Sequence, residues 1–184
     1  MRLAFVLVAC LFAGPVAAAD SSCWYDAERA YGVSAELLYA IARAESNLNP
    51  AAMNLSHKAR TGTYDIGLMQ INSGHLPRLS KHGISEKDLL DACTNIKVGA
   101  WLLAGLFAKH GVSWNAVGAY NAACSTLKGA DCQAARSKYA WRVYQRLPGQ
   151  PEPAHKRRVR PQAQQQPAAP APQTFILAAR VSPR

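Results

Sequence analysis

The 184-residue chain has no apolar run long enough to cross a membrane. Its longest, Leu3 to Phe12, is well short of the roughly 20 residues that a helical span needs. It has no C-x-x-C pair, and its histidines show no metal-ligand spacing, which leaves no basis for a zinc site. No metal and no cofactor are expected. Internal repeats are missing, so a solenoid is excluded. Acidic residues are scarce, 11 Asp+Glu against 21 Lys+Arg. The excess is uneven: residues 20–147 carry 14 Lys+Arg against 10 Asp+Glu, and residues 148–184 carry 6 against 1. Charge alone does not choose among nucleic acid, lipid and an anionic polymer as the partner. The basic run Lys156, Arg157, Arg158 and Arg160 has no aromatics interleaved with it, which speaks against a nucleic-acid binder.

What is present at the N-terminus sets the compartment. Arg2, the apolar run to Phe12, and Ala17-Ala18-Ala19 before Asp20 have the order of a signal peptide, residues 1–19, with a small-residue cleavage site. Leu7-Val8-Ala9-Cys10 resembles a lipobox, but Cys10 sits in the middle of the apolar run with too little of it in front. Export with cleavage is therefore expected, and the periplasm is the expected location. In an oxidising compartment the four cysteines beyond Cys10 read as two disulfides. Cys124 and Cys132 are close enough to staple one loop, which leaves Cys23 to pair with Cys93.

From Ser22 to Leu147 the pattern is a string of helices. Trp24, Ala27 and Tyr31 recur at helical spacing before Gly32, and Ser34 caps a helix with Leu37, Leu38, Ile41 and Glu45 on one face, ended by Asn49-Pro50. Ser85 opens a short helix, Asn95 to His110 forms the most apolar one, Ser113 caps another, and the last runs from about Gln133 to Leu147. Thr61 to Asn72, where glycines alternate with β-prone residues, reads as a turn with a short hairpin. The expected fold is mainly α with a small β-hairpin segment, residues 20–147. Residues 148–184 hold eight of the 11 prolines and six glutamines, and are expected to be a disordered basic tail.

Three segments carry the chemistry. Glu45 projects from the apolar face of its helix near the C-terminal end, where desolvation and the helix dipole both favour the protonated acid. A neutral carboxylic acid is what a glycosidase needs to protonate a leaving oxygen, although a structural ion pair explains the spacing equally well. In Gly67-Leu68-Met69-Gln70-Ile71-Asn72 two amides alternate with apolar residues. In an extended segment Gln70 and Asn72 would point the same way and suit sugar hydroxyls and N-acetyl groups. Ala119-Tyr120-Asn121-Ala122 offers a hydroxyl to hydrogen-bond the catalytic carboxyl and a ring to pack on a sugar, or simply a core tyrosine.

Taken together, Glu45-Ser46, Asn49-Pro50, the Gly67 to Asn72 segment, Asn95-Ile96-x-x-Gly99 and Ala119 to Ala122 resemble the soluble lytic transglycosylase family in order and spacing. The chain is most similar to the small members that accompany conjugation, pilus and type III/IV secretion machines, which share the early Cys23-Trp24 and Asp91-Ala92-Cys93. The resemblance covers roughly residues 22–147 and implies a lysozyme-like fold of the goose type. It also implies peptidoglycan glycan strands as the partner and one catalytic residue, Glu45, with Ser46, Met69, Gln70, Asn72, Tyr120 and Asn121 lining or supporting the cleft. The implied reaction cleaves between N-acetylmuramic acid and N-acetylglucosamine and leaves a 1,6-anhydro end. Two rivals stay open: a water-using lysozyme with Asp65 as second carboxylate, and a non-catalytic wall-binding assembly subunit.

Overall fold

A computed structural model describes residues 21–150. The expected signal peptide, residues 1–19 with Cys10, and all but the first three residues of the expected tail, 148–184, lie outside the described residues. Helix α1 spans Ser21–Tyr31 and stops at Gly32, whose φ of 66° few other residues adopt cheaply. Helix α2, Ala35–Glu45, starts under Ser34, whose hydroxyl accepts from the Leu37 N–H at 3.1 Å. It ends earlier than Asn49-Pro50 suggests, because Asn47 and Leu48 both take left-handed backbone, with φ of 54° and 66°.

The expected hairpin is part of a three-stranded antiparallel sheet. Strand β1 is Met53–Asn54, β2 is Asp65–Ile66 and β3 is Ile71–Asn72, with Asp65 opposite both Asn54 and Asn72. Each strand has two residues, too few for β1 to show a period-2 pattern in the sequence. One-turn helices α3, Lys58–Thr61, and α4, Leu76–Leu79, were likewise not foreseen. Single turns have no apolar stripe to announce them. A 3₁₀ turn, Lys87–Leu90, follows Ser85, whose N–H and hydroxyl both donate to the Asp88 carboxylate.

Helix α5, Ala92–His110, is the spine of the fold. It begins before Asn95 because the Asp91 carboxylate caps it, accepting from the Thr94 N–H at 2.8 Å. Ile96, Val98, Ala100 and Leu103 are buried along it. Helix α1 packs on it through Cys23, Trp24 and Ala27, and helix α6, Trp114–Asn121, through Val117. Helix α7, Gly129–Tyr144, lies on α6 and α2 and buries Tyr139, Ala140 and Val143. It starts four residues before Gln133, within the disulfide-closed loop. Among the described residues no helix is long and apolar enough to cross a membrane.

Both disulfides form as paired from spacing. Cys23–Cys93 fastens α1 to the start of α5 with Cα atoms 5.2 Å apart, and Cys124–Cys132 closes the loop into α7. The first encloses a separation of 70 residues, for which loop-closure entropy gives about 4 kcal/mol. Cys93→Ser is therefore expected to lower the denaturation midpoint strongly under oxidising conditions. Under reducing conditions, wild type and variant should unfold together.

Candidate active site

Glu45 is the last residue of α2. The same helix face buries Leu38 and Ile41 completely, so the carboxyl emerges at the edge of the core and is itself half-buried. It opens into a cleft of about 880 Å³. Asp65, Gln70 and Asn72 form the sheet side of that cleft, Leu102 and Leu106 of α5 its floor, and Tyr120 and Asn121 the end of α6. Glu45, the Gly67 to Asn72 segment and Tyr120-Asn121, separate in the chain, thus face one space.

The four residues from Gly67 to Gln70 form a turn rather than extended chain, and Gln70 has a φ of 50°. The expected period-2 alignment of Gln70 with Asn72 is therefore not the arrangement adopted. They share the cleft wall because the hairpin folds back, with the Gln70 amide nitrogen donating to the Gly67 carbonyl at 2.8 Å and to that of Ala52 at 3.2 Å. The Asn72 amide is engaged within the protein. It donates to Asp65 at 2.8 Å and to the Thr63 hydroxyl at 3.2 Å, and accepts from the Gly74 N–H at 3.0 Å.

Four distant residues grip this turn. Ser46 donates its hydroxyl to the Leu68 carbonyl at 2.7 Å, tying the end of α2 to it. Asn95, the fully buried polar side chain among the described residues, accepts from the Met69 N–H at 2.7 Å. Its amide also donates to the Ile66 and Leu89 carbonyls at 3.0 and 2.7 Å. The Met69 side chain is buried against Gly99, where a Cβ would lie 2.5 Å from the methionine sulfur. Tyr120 donates its hydroxyl to the Met69 carbonyl at 3.1 Å. Ser46 and Met69 therefore support the cleft from behind its wall. At Gly67, with φ 76°, a Cβ would lie 2.2 Å from the Asn95 amide nitrogen and 2.3 Å from the Leu89 oxygen, so no larger residue fits.

The hydroxyl that reaches the catalytic-candidate carboxyl is that of Tyr139, not Tyr120. Tyr139 of α7 donates to Glu45 Oε1 at 2.5 Å. Sequence reasoning missed it because Tyr139 looks like one more apolar-stripe residue beside Ala140 and Val143. The available signal was pairwise: a buried phenol and a carboxyl on an apolar face each need a partner. Burial raises the Glu45 pKa from its ordinary value, with the Tyr139 hydrogen bond and the Arg142 charge opposing and the Asp65 charge assisting. Burial and the Glu45 charge push both Tyr120 and Tyr139 well above the usual phenol value, so both remain donors at neutral pH. Asp65 is held differently. Its two oxygens accept from the Asn72 and Asn54 amides at 2.8 and 3.3 Å, and His57 lies 3.7 Å away.

Removing the Tyr139 hydroxyl removes a contact that lowers the Glu45 pKa, so Tyr139→Phe is expected to move the alkaline limb of the pH–rate profile upward. The turnover at the optimum should fall by roughly tenfold, the scale of one charge-assisted hydrogen bond. An unmoved limb would mean that the hydroxyl does not set the ionisation of the rate-determining group.

The profile of the transglycosylase SLT domain matches residues 22–141, a stretch that includes Glu45, the Gly67 to Asn72 segment, Tyr120 and Tyr139. The chain belongs to the transglycosylase SLT family. The Salmonella typhimurium invasion protein IagB is 45% identical over 150 residues, covering 81% of this chain and 90% of that protein. The Shigella flexneri protein IpgF is 38% identical over 143 residues, covering 77% and 88%. An Escherichia coli K12 protein named putative peptidoglycan-binding-like is 37% identical over 145 residues, covering 76% and 89%. Membership of the transglycosylase SLT family implies peptidoglycan as the substrate polymer.

Proposed function

We propose that the protein is a peptidoglycan lytic transglycosylase of the periplasm in which Glu45 acts alone as acid and then base. Glu45, whose neutral form burial favours, donates its proton to the glycosidic oxygen between N-acetylmuramic acid and N-acetylglucosamine. The C1–O bond breaks, the N-acetylglucosamine oxygen leaves carrying that proton, and the substrate's N-acetyl oxygen shields the cationic carbon. The Glu45 carboxylate, now steadied by Tyr139, takes the proton of the C6 hydroxyl as that oxygen closes on C1. Because the attacking hydroxyl belongs to the substrate, no second carboxylate has to activate water.

The observation that carries this reading is the contrast between the two acids of the cleft. Glu45 is poised to exchange a proton, whereas Asp65 has both oxygens bonded by amides and serves to hold the sheet. Asp65→Asn is expected to retain turnover within about tenfold, since an amide replaces one of two accepting oxygens. A loss as deep as that of Glu45→Gln would favour the two-carboxylate lysozyme instead. A local opening of the wall for a secretion, conjugation or pilus machine fits the naming of the Salmonella relative as an invasion protein.

A further inference from the structure

The two disulfides stand in different surroundings. Cys23 is 4% exposed and Cys93 packs against the same core, so that bridge is shielded where α1 meets α5. Cys124 and Cys132 lie outside the core, are partly exposed, and line a hollow of about 400 Å³ together with Lys128 and Arg136. Their loop joins α6, which brings Tyr120 and Asn121 to the cleft, to α7, which carries Tyr139. Ala123 borders this hollow and the Glu45 cleft alike. Cys124 holds left-handed backbone, with φ 59°, which a residue with a Cβ keeps only under constraint. Lys128 donates to the Cys124 and Ser125 carbonyls at 3.3 and 3.0 Å, and Arg136 Nε donates to the Ala122 carbonyl at 3.1 Å. Those hydrogen bonds come from exposed or half-buried side chains that water also serves, so the covalent bridge is the firmest constraint on the loop.

We propose that Cys124–Cys132 is a thiol-exchange site whose opening slackens the α6 end of the cleft. The activity it adjusts rests on the transglycosylase reading above. Access decides which bridge exchanges, because the attacking sulfur has to reach the disulfide. The reductant is a dithiol. One of its thiolates attacks the Cys124 sulfur, the bond to Cys132 breaks, and Cys132 leaves as a thiolate into a hollow lined by two cations. The second thiol of the reductant then displaces Cys124. Two electrons and the two thiol protons pass to the cysteines, and the dithiol becomes a disulfide. With the bridge open, Cys124 is free to leave its left-handed conformation, and Ala123 loses its fixed place at the cleft.

The test places the oxidised protein in dithiothreitol buffers of graded reducing strength, alkylates free thiols, and locates the labels by peptide mass spectrometry. Cys124 and Cys132 are expected to be labelled at mild strength, with Cys23 and Cys93 unlabelled and the circular dichroism unchanged. Over the same range KM for peptidoglycan is expected to rise roughly tenfold, the scale of a displaced positioning element, and to recover on reoxidation. The double variant Cys124→Ser, Cys132→Ser should show the raised KM in every buffer. Simultaneous labelling of both bridges overturns the proposal. So does a double variant with the KM of oxidised wild type, or one that loses helix content, which would make the bridge purely structural. Oxidised protein that releases no fragments would strike the transglycosylase reading instead, and the exchange site would still stand or fall on the order of labelling.

Discussion

Glu45→Gln is expected to abolish lysis of purified peptidoglycan, with turnover down roughly 10²–10⁴-fold, the range for loss of a general acid–base group. The substitution keeps the shape and an oxygen that can still accept from Tyr139, so folding is not at stake. The sign of the stability change follows from linkage. The folded-state pKa of Glu45 is raised, so its contribution is fully present below the unfolded value and is lost as pH rises through the folded one. Above that window the protein holds an ionised, poorly solvated carboxylate that glutamine does not have. At pH values above that window the variant should therefore melt at or above the wild-type temperature while being inactive. A variant that is inactive and also markedly less stable would point to a structural role for Glu45. The same ionisation predicts that wild-type activity falls as pH rises through the raised pKa of Glu45, because the proton donor is lost.

A large stability effect is expected at Asn95, which lies behind the cleft wall. Its side chain is fully buried and serves one backbone N–H and two carbonyls, those of Met69, Ile66 and Leu89. Asn95→Ala leaves all three without that partner, at roughly 1–3 kcal/mol each before relaxation. A loss of about 3–5 kcal/mol is the expected sum once water enters the gap, enough to unfold many small domains near body temperature. The urea midpoint should fall with the slope little changed. Whatever folded protein remains should turn over slowly, because the Met69–Gln70 turn that walls the cleft loses its anchor. A loss below about 1 kcal/mol would show that the turn is held mainly by Ser46 and by Met69 packing on Gly99.

Asn95 also shows where the sequence was legible and where it was not. The helices, their Ser34 and Ser113 caps, the Cys124–Cys132 pairing and Glu45 on an apolar face all come from local spacing, which a single sequence displays, and Cys23–Cys93 follows by elimination. The Asn95-Ile96-x-x-Gly99 pattern was visible too, but its purpose was not. Only the fold shows that Asn95 and Gly99 serve the same turn, one by hydrogen bonds and the other by leaving room for Met69. Tyr139 lay beyond reach for the same reason: its link to Glu45 spans 94 positions, and neither residue advertises the other. The Gly67 to Asn72 segment was read as extended because its alternation matched a strand. Gly67 at φ 76° and Gln70 at φ 50° turn the chain instead, and positive φ at a glutamine leaves no mark in the sequence. The cations of the cleft rim, Arg60 and Arg78, sit on or beside one-turn helices that have no periodicity to detect.

The most direct test of a single acid/base at Glu45 is the mass of the fragments released from purified peptidoglycan. A single acid/base at Glu45 predicts muropeptides one water lighter than hydrolysis products, the mark of 1,6-anhydro ends formed by the substrate's own hydroxyl. Full-mass fragments with reducing ends would contradict it, and would mean that water is activated in the cleft by a second group, with Asp65 the first to examine.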